Sequence, residues 1–256
     1  MGDLFPRDER GVLHVVALSG CHDSTALSLL LREREPRPYA YVCTPTGDEL
    51  PDMFAHWRDL SERFGQPIVP IMEQTLKACI ASEGMLPNFR ARFCTRKIKI
   101  EPFIRWLHLR LEDGPVTAYV GLRADEPSRA GGVYGQIEGI NQRFPLREWD
   151  MAEADVQAAL RRFGVTVPDR TDCARCYHQR LGEWFELWDK HRDIFNDAIA
   201  DEARLGHTYR SPGRDTWPVG LADMAKRFER GDRPEVSLRR LARERMQVGG
   251  CRVCSL

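Results

Sequence analysis

The feature that most constrains the fold is residues 12–27, VLHVVALSGCHDSTAL, where an apolar run gives way to a polar turn and then to a second apolar run. The apolar, β-branched run at 12–18 is typical of a buried parallel strand. It breaks at residues 19–25 and continues as an apolar stretch at 26–31 that indicates a helix. A strand, a short polar turn and a helix place free backbone N–H groups and the positive end of a helix dipole at the carboxyl edge of a sheet. The stretch therefore predicts a phosphate-binding turn.

The segments that follow alternate between the two kinds of pattern. Strands are predicted at 39–43, 68–71 and 116–120, and helices at 52–64, 75–82 and 103–111. This β-α-β order predicts an α/β fold with a doubly wound, mostly parallel sheet. After Pro168 the sequence becomes helical and cysteine-bearing, which predicts a nucleotide-binding domain over 1–168 and a helical C-terminal region over 169–256.

Composition narrows the cellular setting. Basic and acidic residues both number 38, so no global positive field attracts nucleic acid, although local basic clusters still can. The chain has neither an 18-residue apolar run nor a signal peptide at its N-terminus, so we expect a soluble, cytoplasmic protein without a membrane partner. In that compartment, eight cysteines indicate metal or thiol chemistry rather than structural disulfides. The oligomeric state is left open.

Polar segments follow the predicted strands, where an open sheet has its ligand crevice. Residues 121–132, GLRADEPSRAGG, carry Arg123 and Arg129, and arginine forks bind phosphate or sulfate. Five basic residues lie between positions 90 and 99, with Cys94 among them. Because neighbouring cations lower the pKa of a thiol, Cys94 is a candidate nucleophile or metal ligand.

Four segments together resemble one family. They are SGCHDST at 19–25, TGDELPDM at 46–53, FCTRKIKIEPF at 93–103 and GLRADEPSRA at 121–130. In this order they resemble the phosphoadenosine phosphosulfate (PAPS) reductase-like branch of the PP-loop ATP pyrophosphatase superfamily, with its SGGKDS, TGxExPE, C-T-x-x-x-K-x-x-P and G-[IL]-R-x-[DE]-E-S-x-R elements. FPLREWDMAEADV at 144–156 extends the resemblance over about residues 12–170.

The resemblance implies a site for ATP, or for adenylylsulfate or PAPS, together with Mg²⁺. The implied nucleotide-binding residues are Ser19, Gly20, His22, Asp23, Ser24, Thr25, Gly47, Glu49, Arg96, Lys97, Arg123 and Arg129. The implied catalytic residues are Asp23, Cys94 and Arg123, and the candidate Mg²⁺ ligands are Asp23, Asp48 and Glu49.

The loop departs from the family pattern at two positions, where Cys21 replaces a glycine and His22 replaces a lysine. An imidazole is charged only near or below its pKa, whereas a lysine is charged throughout the physiological range. We therefore expect phosphate binding by this loop to depend on pH.

Two C-x-x-C pairs, Cys173/Cys176 and Cys251/Cys254, predict a four-thiolate site. Zinc and a [4Fe–4S] cluster both accept four thiolates, and spacing alone does not separate them. The resemblance favours [4Fe–4S], which adenylylsulfate reductases and DNA phosphorothioation sulfurtransferases of this branch carry. It also adds Cys94 from the C-T segment, so that four of these five cysteines bind the metal and one is left for chemistry.

Three functional hypotheses follow. In the first, the protein adenylylates an acceptor with release of pyrophosphate, so that sulfur or nitrogen can replace AMP. The acceptor is a nucleic acid or a protein, and a separate protein would donate the sulfur. A nucleic acid would bind through Arg90, Arg92, Arg96, Lys97 and the basic helices predicted at 222–230 and 237–247. In the second it is a PAPS or adenylylsulfate reductase, although the chain lacks that enzyme's E-C-G-[LI]-H motif. In the third it is a degenerate, non-catalytic nucleotide-binding partner.

Overall fold

The computed structural model describes residues 4–129, 131, 134–213 and 215–235. Its strands are β1 (Leu13–Ala17), β2 (Ala40–Cys43), β3 (Ile68–Pro70), β4 (Val116–Tyr119) and β5 (Ile140–Arg143). The α-helices are α1 (His22–Arg34), α2 (Pro51–Phe64), α3 (Leu76–Glu83), α4 (Glu101–Leu111), α5 (Pro145–Glu148), α6 (Glu153–Phe163), α7 (Leu181–Lys190), α8 (Arg192–Leu205) and α9 (Leu221–Glu229). A π-helix, Thr95–Ile100, runs directly into α4, and Tyr134–Gln136 forms a short 3₁₀ turn.

The five strands form one parallel sheet in the order β3-β2-β1-β4-β5. Alternate residues of the central strands enter different cores: Val16 packs on the α1 and α6 face, and Val15 packs on the α4 face. Both faces are covered, which explains why β1 reads as a continuous apolar run. The predicted doubly wound α/β class is confirmed.

Three local features of the structure are not predicted by the sequence patterns above. β5 was not predicted, because its sequence INQR has a single apolar residue and it pairs only with β4 at the edge of the sheet. The aromatic segment after Pro168 forms two helices, α7 and α8, which are divided at His191 because its backbone is not helical. α6 begins at Glu153, after Asp150, whose φ of +51° is not helical.

A third core lies beside the sheet and joins residues from both sides of position 168. Ile80 of α3 and Ile98 of the π-helix share this core with Trp184, Phe195 and Phe228. It holds Cys173 and Cys176 against the body of the sheet domain. Within the described ranges, every helix is too short or too polar to span a lipid bilayer. Cys251, Cys254 and the helix expected at 237–247 lie outside the described residues.

Candidate functional site

The sheet has a switch point at β1, which lies between β2 and β4. From β1 the chain builds β2 and β3 on one side and β4 and β5 on the other. In an open parallel sheet, such a switch point opens a crevice at the carboxyl ends of the strands. A cavity of about 960 Å³, open to solvent, lies there and is walled by residues 17–19, 42–44 and 120–122. We call it the crevice cavity.

The turn after β1 is held beneath α2. Gly20 has a φ of +88°, and a Cβ at this position would lie 2.7 Å from both Met53 Cε and Trp57 Nε1. The Trp57 indole donates a hydrogen bond to the Ser19 carbonyl at 3.2 Å. The turn therefore requires glycine here for two reasons, its backbone conformation and the close approach of two side chains.

α1 starts at the crevice. Its N-cap residue is Cys21, and no side chain within the described structure caps the helix. Ser24 Oγ accepts the Gly20 N–H at 3.0 Å and lies 3.1 Å from Ser19 Oγ. Ser19, Cys21 and Ser24 all line the crevice cavity. A helix start of this kind, flanked by hydroxyl groups, favours an anion.

Asp23 forms a buried ion pair with Arg123, and the two residues are 1% and 6% exposed. One guanidinium nitrogen donates to both Asp23 oxygens, at 3.0 and 3.2 Å. Arg123 also donates to Asp125 at 2.9 Å, and Glu126 and Glu153 lie 3.7 and 3.9 Å away. The positive charge of Arg123 is shared among four carboxylates, so it compensates the negative charge of Asp23 only in part. Burial accordingly raises the pKa of Asp23 to about 7, although Arg123 opposes the rise.

The loop after β4 brings Arg129 to the cavity. Arg129 lines the crevice cavity and pairs with Glu126 at 2.8 Å. Arg147 of α5 fixes this loop by donating to the carbonyl oxygens of Arg123, Glu126 and Arg129. Arg147 thus shapes the loop that carries the two predicted substrate-binding arginines.

The loop after β2 is fastened to the first C-x-x-C segment. Asp48 accepts the Arg175 backbone N–H at 3.0 Å and a guanidinium N–H at 2.8 Å. Arg175 also donates to Asp201 of α8 at 2.9 Å, and Glu49 forms a backbone bridge with Cys173. Asp48, Arg175 and Asp201 are all buried, and we call them the Arg175 clamp.

These contacts bear on the predicted Mg²⁺ ligands. Asp48 is engaged by Arg175, and Glu49 Oε1 accepts both the N–H and the hydroxyl of Thr46 at 2.7 Å. Neither carboxylate lines the crevice cavity, whereas Asp23 does. Across the described ranges, no three His, Cys, Asp or Glu side chains are grouped so as to hold a metal ion.

The π-helix forms the opposite wall of the crevice cavity, to which it contributes Thr95, Lys99 and Ile100. Two predicted phosphate ligands of the same helix are in ion pairs instead: Arg96 with Glu101 at 2.5 Å, and Lys97 with Glu83. Lys99 was missed as a site residue. Its signal was present in the sequence, because Lys99 is the lysine of the C-T-x-x-x-K pattern that starts at Cys94.

A smaller cavity of about 340 Å³ lies behind this wall. Cys94, Cys173 and Cys176, three of the five predicted metal ligands, all line it, although in the described structure they are not grouped closely enough to hold a metal ion. We call it the thiol cavity. Thr95 and Lys99 line both cavities and form their shared wall.

The three thiols are held in their protonated form. Burial raises the pKa of Cys173 to about 12, raises that of Cys176 well above its usual range, and raises that of Cys94 as well. The charge of Lys99 opposes the rise at Cys94 and Cys173. The expectation that nearby cations lower the pKa of Cys94 is wrong, because burial outweighs them. A metal would have to displace these protons.

The predicted nucleotide-binding residues thus divide into two groups. Ser19, Asp23, Ser24 and Arg129 line the crevice cavity, whereas Gly20, His22, Thr25, Gly47, Glu49, Arg96, Lys97 and Arg123 lie outside its lining. Thr25 contacts His56 at 3.2 Å beside the turn, and Gly47 has a φ of +70° next to Thr75. Their part in binding a nucleotide stays a prediction.

No protein-family model matches the sequence. The chain is 22% identical over 278 aligned residues to the uncharacterized nin region protein ORF290 of Escherichia phage lambda, covering 94% of this chain and 93% of that protein. Its structure is similar to PAPS reductase from Candida auris in a phosphate complex, with a TM-score of 0.46 and 15% identity over 61% of this chain and 74% of that one. It is also similar to the U34-tRNA thiolase NcsA from Methanococcus maripaludis with its [4Fe–4S] cluster, with a TM-score of 0.45 and 14% identity over 95% and 80% of the two chains. At such identities, these two solved structures compare with the chain in fold alone.

Proposed function

We propose that the protein is an enzyme that binds ATP in the crevice cavity and adenylylates an oxygen atom of an acceptor with release of pyrophosphate. The observation that carries this proposal is the shared wall. Thr95 and Lys99 border the crevice cavity on one side and the thiol cavity, with its three cysteines, on the other. An activated acceptor and a sulfur-handling group would therefore meet across one turn of helix.

The phosphates would lie at the start of α1, where Ser19 and Ser24 add hydroxyl groups to the helix N–H groups. His22 replaces the usual loop lysine, and Lys99 and Arg129 supply positive charge from the facing walls. Mg²⁺ is commonly held by one or two carboxylates together with substrate phosphates. Asp23 lines the cavity, but both of its oxygens accept hydrogen bonds from Arg123, so it would bind Mg²⁺ only once that pair opens and ATP provides the remaining oxygens.

In the first step, the acceptor oxygen bonds to the α-phosphorus of ATP. The bond from this phosphorus to the β-bridging oxygen breaks, and pyrophosphate leaves with the electron pair. In the second step, a sulfur nucleophile from a donor protein bonds to the acceptor carbon that carries the adenylylated oxygen. The bond between that carbon and the oxygen breaks, and AMP leaves with the oxygen and the electron pair. The enzyme contributes positioning and charge stabilisation to both steps.

Cys94, Cys173 and Cys176 line the thiol cavity, and thiolates are the ligands of soft metal groups. Because these three thiols are not grouped so as to hold a metal ion in the described structure, binding would require them to move closer together. The fourth thiolate would come from Cys251 or Cys254, which leaves the other for chemistry. We favour a [4Fe–4S] cluster over zinc on the sequence resemblance. A bound cluster would supply an iron that binds sulfur or transfers electrons.

ATP turnover tests the proposal directly. Pyrophosphate release from ATP by the anaerobically purified protein supports it, whereas thiol-dependent release of sulfite from adenylylsulfate or PAPS supports a reductase. If neither is found in the wild type but His22→Lys releases pyrophosphate, the chain is a decayed enzyme. The absence of all three activities with metal bound refutes both enzymatic assignments.

Metal analysis tests the thiol cavity separately. We expect broad absorbance near about 400 nm and about four irons per chain. Cys173→Ser and Cys176→Ser should each lose the iron, whereas Cys79→Ala should retain it, because Cys79 is buried but lines neither cavity. One tightly bound zinc and no colour would refute the cluster.

A further inference from the structure

Two ion pairs at the crevice cavity are linked through the carboxylate of Glu126. Arg129 Nη1 donates to both Glu126 oxygens, at 2.9 and 2.8 Å. Glu126 Oε1 also lies 3.7 Å from Arg123 Nη2, and Arg123 Nη1 donates to both oxygens of Asp23. We call Asp23, Arg123, Glu126 and Arg129 the ion-pair network. Its two ends, Asp23 and Arg129, line the crevice cavity, so a ligand there meets the network at both ends.

The guanidinium of Arg129 is only partly engaged. Both of its hydrogen bonds to Glu126 come from Nη1. Its Nε is buried and has no hydrogen-bond partner among the described residues. Because an arginine fork binds two phosphate oxygens at once, a phosphate in the crevice cavity would offer acceptors to N–H groups that Glu126 leaves unused. It would also compete with Glu126 for Nη1.

Glu126 has a second cation within reach once a phosphate takes Arg129. The gap between Glu126 Oε1 and Arg123 Nη2 closes to hydrogen-bond length with a side-chain movement of about 1 Å. The backbone of this loop can stay in place, because Arg147 donates to the carbonyl oxygens of Glu126 and Arg129. A closer bond to Glu126 would draw the Arg123 guanidinium away from Asp23.

We propose that phosphate binding rearranges the ion-pair network, so that Asp23 becomes a ligand for Mg²⁺ only when the nucleotide is in place. Arg129 exchanges Glu126 for the phosphate, and Arg123 then exchanges Asp23 for Glu126. Every charge of the network keeps a partner in this arrangement, as buried charges require. Glu126 touches neither the nucleotide nor the metal and is therefore a positioning residue. The inference rests on the function proposed above, because it concerns how the ATP site of that reaction is completed.

Calorimetric titration with ATP, in the presence of Mg²⁺ or of EDTA, tests this coupling. In the wild type we expect Mg²⁺ to strengthen ATP binding at least about fivefold. In Glu126→Gln the neutral amide attracts Arg123 less than the carboxylate does, so the strengthening by Mg²⁺ should fall below about twofold. Metal-free ATP should bind this variant more tightly than the wild type, because Arg129 no longer has a competing carboxylate.

Glu153→Gln is the matched control. Glu153 lies 3.9 Å from Arg123, and its side chain is 21% exposed against 17% for Glu126. Of these two carboxylates, only Glu126 is within ion-pair distance of Arg129 in the described structure. Both substitutions remove one negative charge beside Arg123, so the exchange with Arg129 is what distinguishes them. Glu153→Gln should therefore keep the wild-type effect of Mg²⁺ on ATP binding.

Three results would overturn the inference: no effect of Mg²⁺ on ATP binding in the wild type, an unchanged effect in Glu126→Gln, or equal reductions in Glu126→Gln and Glu153→Gln. Pyrophosphate release from ATP is measured on the same preparations. A Mg²⁺ effect that depends on Glu126, without pyrophosphate release, refutes the proposed function and keeps the rearrangement. Pyrophosphate release with an unchanged Mg²⁺ effect in Glu126→Gln does the reverse. A wild type that binds no ATP refutes both.

Discussion

Replacing Arg175 by methionine should release the first C-x-x-C segment from the loop after β2. The guanidinium donates to Asp48 and Asp201, and none of the three side chains is more than 10% exposed. Removing one member of a buried ion pair leaves the other charge uncompensated, which costs about 3–5 kcal/mol. We expect Arg175→Met to lower the free energy of unfolding by that amount at pH 8. The loss should be smaller at pH 5, because burial raises the pKa of Asp48, which can then take up a proton.

A matched control lies on the same carboxylate. Arg204 contacts Asp201 at 2.8 Å, but its side chain is 50% exposed, so Arg204→Met should cost about 0–1 kcal/mol. Both variants are compared with the wild type by urea denaturation at pH 5 and pH 8. If Arg175→Met is no more costly than Arg204→Met, the clamp does not hold the two segments together.

The alkylation rate of individual cysteines is a second measurement, because a change in global stability alone would affect all buried cysteines alike. Cys173 and Cys176 should be alkylated faster by iodoacetamide in Arg175→Met under native conditions, because their segment loses its anchor. Cys79, which is 0% exposed in α3, reports general unfolding and should react at the wild-type rate. Equal acceleration of all three cysteines would mean that the variant loosens the whole fold rather than this segment.

Three further predictions concern the crevice cavity. Gly20→Ala should lower the free energy of unfolding by about 1–3 kcal/mol more than Gly65→Ala, since both glycines have positive φ but only Gly20 lacks space for a Cβ; equal urea midpoints would contradict this. The pKa of Asp23 is raised to about 7 in the folded protein, whereas an unfolded aspartate has a pKa of about 3.9. The melting temperature of the wild type should therefore fall relative to that of Asp23→Asn as the pH rises between these two values, because ionisation of Asp23 destabilises the folded state. A difference in melting temperature that stays constant with pH would be inconsistent with the raised pKa. Lys99→Met should weaken ATP binding about tenfold or more, measured by calorimetry, whereas Lys97→Met should not; the opposite pattern would support the assignment made from sequence.

The sequence predicted the parts of the fold that depend on local patterns. Unbroken apolar runs marked β1, β2 and β4, because both faces of a parallel sheet are buried. β5 was not recognised, since an edge strand needs one neighbour only and its polar residues carry no periodic signal. The convergence of Ser19, Ser24 and Arg129 on one cavity also agreed with a general rule, that loops after parallel strands meet at one edge.

The rest of the site depends on contacts between distant parts of the chain. The bond between Asp48 and Arg175 spans 127 positions, and nothing local distinguishes that aspartate from a metal ligand. The protonation of Cys94 was misjudged for the same reason, because its cationic neighbours are visible in sequence and its burial is not. The roles of Lys97 and Lys99 are likewise decided by which side of the π-helix faces Glu83 and which faces the cavity.

The Arg175 clamp also has a consequence for how the protein matures. β5 ends at Arg143, so the five strands of the sheet leave the ribosome before Arg175 does. At about 5–20 residues per second, the two events are seconds apart, and domains fold as they emerge. The crevice cavity can therefore form while Asp48 still awaits its partner. We expect a nascent chain that binds nucleotide before its thiol cavity exists, so that metal insertion is a late event after release.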